Sequence, residues 1–298
     1  MRHRPNLRRI SLKGANECGV LGIDGSARTE TFVTVLGVRT RVVCQGEGPT
    51  LMLMHGWGCN VETWAAIWPS LAQRYRLVAF DFPGFGQADE PRATEAGKAE
   101  AREAEGLVEP WGVPEYAVWT RALIKALDIA PCHVLAHSFG TRVMLVLAAE
   151  SSELFGKLVL TGACGARLAS KRRSARTRVY KALRGMATLF GKLFPKAGAR
   201  WREALVQRFG SADYKVLGDA MRKVFVRVVN QDLREYLPRV AHETLLIWGD
   251  GDDAMPLEVG RIMEREMPAA GLAVFEGAGH FAFVDQPARF MRVMDAFL

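Results

Sequence analysis

Two stretches rich in β-branched residues, Thr31 to Leu36 and Arg39 to Val43, flank Gly37 and read as a strand hairpin. Short, mainly apolar runs follow at Leu51 to Met54, Leu77 to Phe80, Val134 to Ala136, Leu158 to Leu160, Thr244 to Trp248 and Leu272 to Phe275. Each has the pattern of a strand buried on both faces. Between them, apolar residues recur at helical spacing in Val61 to Ala72, Glu115 to Leu127, Arg142 to Ala149, Leu257 to Met267 and Pro287 to Leu298. Strands alternating with helices predict an α/β fold with a mainly parallel sheet covered on both faces. From Arg167 to Arg239 the strand pattern stops, and helical segments at Val179 to Phe194, Ala199 to Phe209 and Ala220 to Asn230 predict a helical insert after the fifth or sixth strand. The stretch from Asp89 to Glu109 has no apolar face and reads as a second, exposed insertion.

Composition adds limits. At 298 residues and 49% hydrophobic, the chain suits one large domain with an inserted subdomain. Residues 1–30 carry Arg2, Arg4, Arg8, Arg9 and Lys13 without a following apolar stretch, which reads as a mobile basic arm rather than a signal peptide. The longest apolar run, Val143 to Ala149, is far below the roughly 18 to 20 residues of a membrane span. The five cysteines are scattered and never form a Cys-x-x-Cys pair, so neither a disulfide framework nor a zinc ribbon is expected and a cytoplasmic location is.

The net charge of +8 is uneven, with thirteen basic residues against Glu203 alone from Arg167 to Arg208, and seven acidic against three basic from Asp89 to Glu109. The basic residues lack interleaved aromatics and any recognition motif, so nucleic-acid binding is not expected. Val179, Leu183, Met186, Leu189, Phe190, Leu193 and Phe194 share a helical face that is expected to pack on the core or line an apolar pocket. The alternative is a basic amphipathic helix that rests weakly on an anionic membrane surface.

Candidate chemistry gathers where strands end, which is where ligands sit in such sheets. Ser138 follows a strand and precedes a helix, between Ala136 and Gly140, the small neighbours that a sharp strand-to-helix turn demands. A serine hydroxyl needs a base, an acid to orient that base, and donors for an oxyanion. Among six histidines, His3 lies in the arm, His133 and His242 flank strand starts, His137 should point away from its neighbour, and His55 precedes the glycine of an early loop. That leaves His280, in Gly277-Ala278-Gly279-His280 after the last strand. Asp250, Asp252 and Asp253 all follow the penultimate strand and all can supply the acid. The expected oxyanion donors are the amides of Phe139 and Trp57, the latter in a loop supported by His55, Gly56 and Gly58.

These loops together resemble the ordered signatures of the α/β-hydrolase superfamily, and the likeness covers roughly residue 31 to the end. They are His55-Gly56-Trp57-Gly58, Asp81-Phe82-Pro83-Gly84-Phe85-Gly86, Ala136-His137-Ser138-Phe139-Gly140, Gly249 to Pro256, and Gly277 to His280. The resemblance implies an eight-stranded α/β-hydrolase sheet built from residues 31–166 and 240–298, with a helical cap at 167–239 roofing the pocket. It selects Asp252 as the acid, with Asp253 in reserve, and implies a serine hydrolase that needs no cofactor or metal and cleaves a small acyl substrate, first of all a carboxylic ester. Amidase, C–C hydrolase, lyase or perhydrolase chemistry on the same residues, or a non-catalytic binding protein, are its alternatives. Ala136 and Thr141 depart from the family's glycines and are expected to narrow the elbow slightly.

Overall fold

The computed structural model describes residues 27–91, 110–166, 183, 185–191, 193–209 and 212–298. Most of the expected basic arm, residues 92–109 of the acidic stretch and residues 167–182 of the basic run lie outside the described residues. The chain divides into two compact units, one of residues 1–166 and 231–298 and the other of residues 167–230.

The larger unit carries one eight-stranded sheet, β1 (Thr29–Val35), β2 (Val38–Gln45), β3 (Thr50–Met54), β4 (Arg76–Phe80), β5 (Cys132–His137), β6 (Phe155–Thr161), β7 (Thr244–Gly249) and β8 (Ala270–Phe275). Their order across the sheet is β1-β2-β4-β3-β5-β6-β7-β8. β1 and β2 pair antiparallel through a two-residue turn in which Leu36 and Gly37 both have positive φ, and β2 pairs antiparallel with β4. All other neighbours are parallel. This is the α/β-hydrolase fold, and the apolar runs of the central strands are buried on both faces as their composition requires.

Helices α1 (Trp68–Ala72), α2 (Val113–Leu127), α3 (Phe139–Glu150), α4 (Pro195–Phe209), α5 (Asp219–Asn230), α6 (Leu257–Glu266) and α7 (Pro287–Phe297) connect or follow the strands. One expected helix, Val61 to Ala72, is broken into a 3-10 turn at Val61–Trp64 and the short α1. The cause is Pro69, which has no amide hydrogen and sits in the first turn of α1, where a helix must begin rather than continue. Trp64 is nonetheless fully buried, 4.8 Å from the ring of Phe283.

In the smaller unit Arg222 of α5 ties α4 by donating to both carboxylate oxygens of Glu203, at 2.7 and 3.2 Å. Residues 231–239, read from the sequence as the end of the insert, group with the larger unit. Their 3-10 turn, Arg234–Arg239, buries Leu237 and is flanked by buried Leu233 and Val240, which a solvated stalk would not do. Among the described residues no helix is long and apolar enough to cross a membrane. Cys44 is disulfide-bonded while Cys132 and Cys164 are free thiols; the scattered cysteine spacing carried no signal for that single bond.

The loop after β4 is held by one buried carboxylate. Asp81 accepts the Val61 amide on Oδ1 at 2.9 Å and the Gln87 amide on Oδ2 at 2.8 Å. Gly86 has φ +53°, and a Cβ there would fall on that carboxylate. Replacing Asp81 with Ala strands the buried Val61 amide, at about 1–3 kcal/mol, and the partly buried Gln87 amide, at about 1 kcal/mol because water can reach it. Urea unfolding of Asp81→Ala should therefore show a loss of about 2–4 kcal/mol with an unchanged slope; a loss below about 0.5 kcal/mol would contradict this role.

Candidate active site

Ser138 stands between β5 and α3 with φ 47° and ψ −109°, outside the regions that L-residues ordinarily occupy. Such a conformation costs on the order of 1–3 kcal/mol and persists only where neighbouring contacts enforce it. The Ser138 amide donates to Thr161 O at 3.0 Å, and its carbonyl accepts from the Thr141 amide at 3.0 Å and the Thr141 hydroxyl at 2.5 Å. Gly140 donates to His55 O at 3.1 Å, and a Cβ at Gly140 would collide with the Met54 carbonyl. Helix α3 thus touches the end of β3, which only glycine permits. Ala136, the departure on the other side, is fully buried.

His280 follows β8 and Asp252 follows β7, its neighbour in the sheet. The His280 Nδ1 hydrogen is donated to Asp252 Oδ2 at 2.7 Å. Asp252 Oδ1 accepts the amides of Ala254 and Met255 at 2.9 and 2.7 Å, so this buried carboxylate is fully engaged and oriented. Of the other two aspartates, Asp250 binds the Gly277 amide at 2.7 Å and steadies the histidine loop, whereas Asp253 is exposed. On the sheet side, a Cβ at Gly162 would lie 2.9 Å from His280 Cε1 and Nδ1, so the glycine leaves the space that the imidazole occupies.

The loop after β3 closes the other side. A Cβ at Gly56 would stand 3.3 Å from Ser138 Cβ, and the rings of Trp57 and Phe139 lie 5.4 Å apart, edge to face. His55 is buried, with Nδ1 2.7 Å from Gly56 O and Nε2 accepting the Phe82 amide at 2.9 Å. It therefore ties this loop to the one after β4. Burial pushes its pKa down to about 4, so it is neutral near pH 7 and serves as a strut. Gly58 adopts φ +71°, a conformation that favours glycine.

Cys164 and Arg142, which carried no signal in the sequence, meet here with His137 and Thr141, which the sequence singled out for other reasons. The ring of His137 packs 4.7 Å from that of His280 and 4.6 Å from Phe281. Its Nδ1 hydrogen is donated to Thr161 O at 3.2 Å, Nε2 has no hydrogen-bond partner, and burial holds its pKa well below the usual histidine range. Cys164, in the small-residue loop after β6, places Sγ 4.0 Å from Ser138 Oγ, and burial raises its pKa, keeping a neutral thiol. The Cys164 amide donates to the Thr141 hydroxyl at 3.0 Å, and its carbonyl accepts from Arg142 at 3.3 Å. Thr141 thus links the elbow to the neighbouring loop instead of merely narrowing it. Among the described residues no cluster of His, Cys, Asp or Glu could hold a metal ion.

The chain belongs to the α/β-hydrolase fold family, whose sequence profile matches residues 49–287. An uncharacterised protein of Mycobacterium tuberculosis is 30% identical over 92% of this chain and 82% of its own length. A pimeloyl-[acyl-carrier protein] methyl ester esterase of Aeromonas hydrophila is 26% identical over 85% of this chain and 96% of its own. Among solved structures, a meta-cleavage product hydrolase of Pseudomonas fluorescens superposes with a TM-score of 0.63 at 23% identity, over 89% of this chain and 96% of that one.

The buried histidines make stability depend on acidity. Folded, His55 takes up a proton only near pH 4; in the unfolded chain it does so near 6.5. Between those values the unfolded chain holds the extra proton, so the contribution is fully present above 6.5 and is lost as pH falls toward 4. For His55 alone that amounts to about 3 kcal/mol, with His137 acting in the same direction. The urea midpoint at pH 4.5 should fall well below that at pH 7.5; coincident midpoints would show that neither imidazole resists protonation.

Proposed function

We propose that this chain is a serine hydrolase that cleaves a carboxylic ester through an acyl-enzyme on Ser138. The observation that carries the reading is the Asp252–His280 hydrogen bond of 2.7 Å, set at the strand ends beside a serine held at positive φ. The methyl ester esterase from Aeromonas hydrophila, 26% identical, supports the choice of an ester.

In the proposed reaction Ser138 Oγ attacks the ester carbonyl as its proton passes to His280 Nε2. Asp252, which accepts the Nδ1 hydrogen, keeps Nε2 the basic nitrogen and stabilises the imidazolium that forms. The hydroxyl stands 4.0 Å from Cys164 Sγ, and rotation about the serine Cα–Cβ bond re-aims it at His280 for proton transfer. The tetrahedral oxyanion is received by the amides of Trp57 and Phe139; Phe139 opens α3, where the first amides have no partner within the helix. Collapse expels the alcohol, protonated by His280. Water, deprotonated by the same nitrogen, then releases the acid. A small acyl compound is thus the proposed partner, and no cofactor is required by these steps.

A fluorophosphonate probe should label Ser138 in the folded protein and leave Ser138→Ala unlabelled; an unlabelled wild-type chain would overturn the reading. Screening p-nitrophenyl esters of rising chain length beside amides would then fix the bond class. Asp252→Asn should lower kcat by about 10³- to 10⁴-fold with little change in KM, since only the tautomer and charge stabilisation are lost.

The glycine against His280 gives a separate check. Gly162→Ala adds a methyl into the space of Cε1 and Nδ1 and strains a φ of +55°. It should reduce kcat by about 10²-fold, the scale expected of a misplacement of about 1 Å. Unchanged kcat would mean that His280 does not act where it stands.

A further inference from the structure

The smaller unit buries Leu205, Tyr214, Met221, Val224 and Val228, but one of its helical runs turns its large apolar side chains outward. Its helical run at 185–191 meets α4 through small residues: Ala187 is fully buried, and a Cβ added at Gly198 would fall on Gly191 Cα. The two backbones are in near contact, with no space for a large side chain between them. Helical hydrogen bonds from Phe194 to Phe190 O and from Gly198 to Phe194 O, at 3.0 and 2.9 Å, carry the chain from one segment into the other. The large apolar side chains face outward, contrary to the expectation that they would be covered. Leu189 is 67% exposed, Leu193 79%, Met186 57% and Phe194 55%.

Positions 186, 189, 190, 193 and 194 recur at helical spacing, so they form one stripe. Phe190 and Phe194 stack 5.0 Å apart, and Phe190 meets Trp201 edge-on at 5.9 Å, which gives the stripe a stiff aromatic base. A contiguous apolar surface of this kind marks an interaction site, because single exposed leucines are ordinary but a stripe of them is not. Lys196, Arg200 and Arg208 are exposed on the following helix, α4, and the sequence from Arg167 to Arg208 carries thirteen basic residues against one acidic residue.

We propose that this stripe is a docking face for an anionic lipid surface, its leucine and phenylalanine side chains entering the headgroup–acyl boundary while the flanking lysines and arginines meet lipid phosphates. An apolar ridge carried on a strongly basic segment complements a layer that is apolar below and anionic above. A second copy of the chain is a poorer match, since joining two such faces would bring like charges together. The proposal is independent of the hydrolytic reading.

Sedimentation of the full chain with vesicles of phosphatidylcholine, alone or mixed with phosphatidylglycerol, tests it. The protein should pellet with the mixed vesicles, bind neutral ones much more weakly, and be released by salt as the charge attraction is screened. The double variant Leu189→Glu, Leu193→Glu should bind about tenfold or more weakly, while its circular dichroism and its fluorophosphonate labelling stay those of the wild type. Both leucines are exposed, so the change leaves the fold intact. Absence of vesicle binding, equal binding to neutral vesicles, or wild-type binding by the double variant would overturn the proposal. Self-association abolished by the double variant, without vesicle binding, would assign the stripe to a second copy instead.

Discussion

The near contact between the start of α3 and the end of β3 is the constraint on which the rest of the site depends. Gly140 lies against the carbonyls of Met54 and His55, and no side chain larger than hydrogen fits there. That approach forces the chain to reverse within one residue, which places Ser138 at positive φ with its side chain on the exposed side of the turn. Hydrogen bonds to Thr161 O, from Thr141 and from Gly140 to His55 O hold the reversed shape. The strain at one residue is thus distributed over β3, β5 and the loop after β6.

Three imidazoles lie near this turn, and their surroundings set them to different tasks. His55 and His137 are fully buried, hydrogen-bond to backbone groups rather than to a carboxylate, and are held neutral by desolvation. His55 joins two loops through both nitrogens, and His137 forms a wall for the ring of His280. Only His280 has a carboxylate on one nitrogen and keeps part of its ring accessible. An imidazole can accept a proton in turnover only if the charged form has a partner, and among these three His280 alone has one.

Much of this was legible in the chain because each loop is punctuated by glycine or proline just after a short apolar run. A mainly parallel sheet with an insertion after the fifth or sixth strand follows from that alternation, and the pairing of His280 with an aspartate follows from the ends of adjacent strands. Which aspartate was not decided by spacing: Asp250, Asp252 and Asp253 look alike in sequence, and the family likeness separated them. Cys164 carries no such sign, since a small residue in a charge-free loop shows its importance only when β6 brings it beside β5. Thr141 was legible as an exception but not as a link, because the amide that it accepts belongs to a residue twenty-three positions on.

The smaller unit shows where periodicity stops being informative. Helical spacing at 186–194 establishes which side chains share a face but not which way that face turns. The deciding feature was the pair Gly191 and Gly198, which lets two helical segments approach until their backbones nearly touch. Small residues win that contact because close backbone approach leaves no volume for a leucine, so the bulky apolar side chains are left on the outside. In one chain, then, glycine has two opposite consequences for the larger residues around it. At Gly140 it draws a helix inward and builds a buried elbow; at Gly191 and Gly198 it draws helices together and turns an apolar face outward.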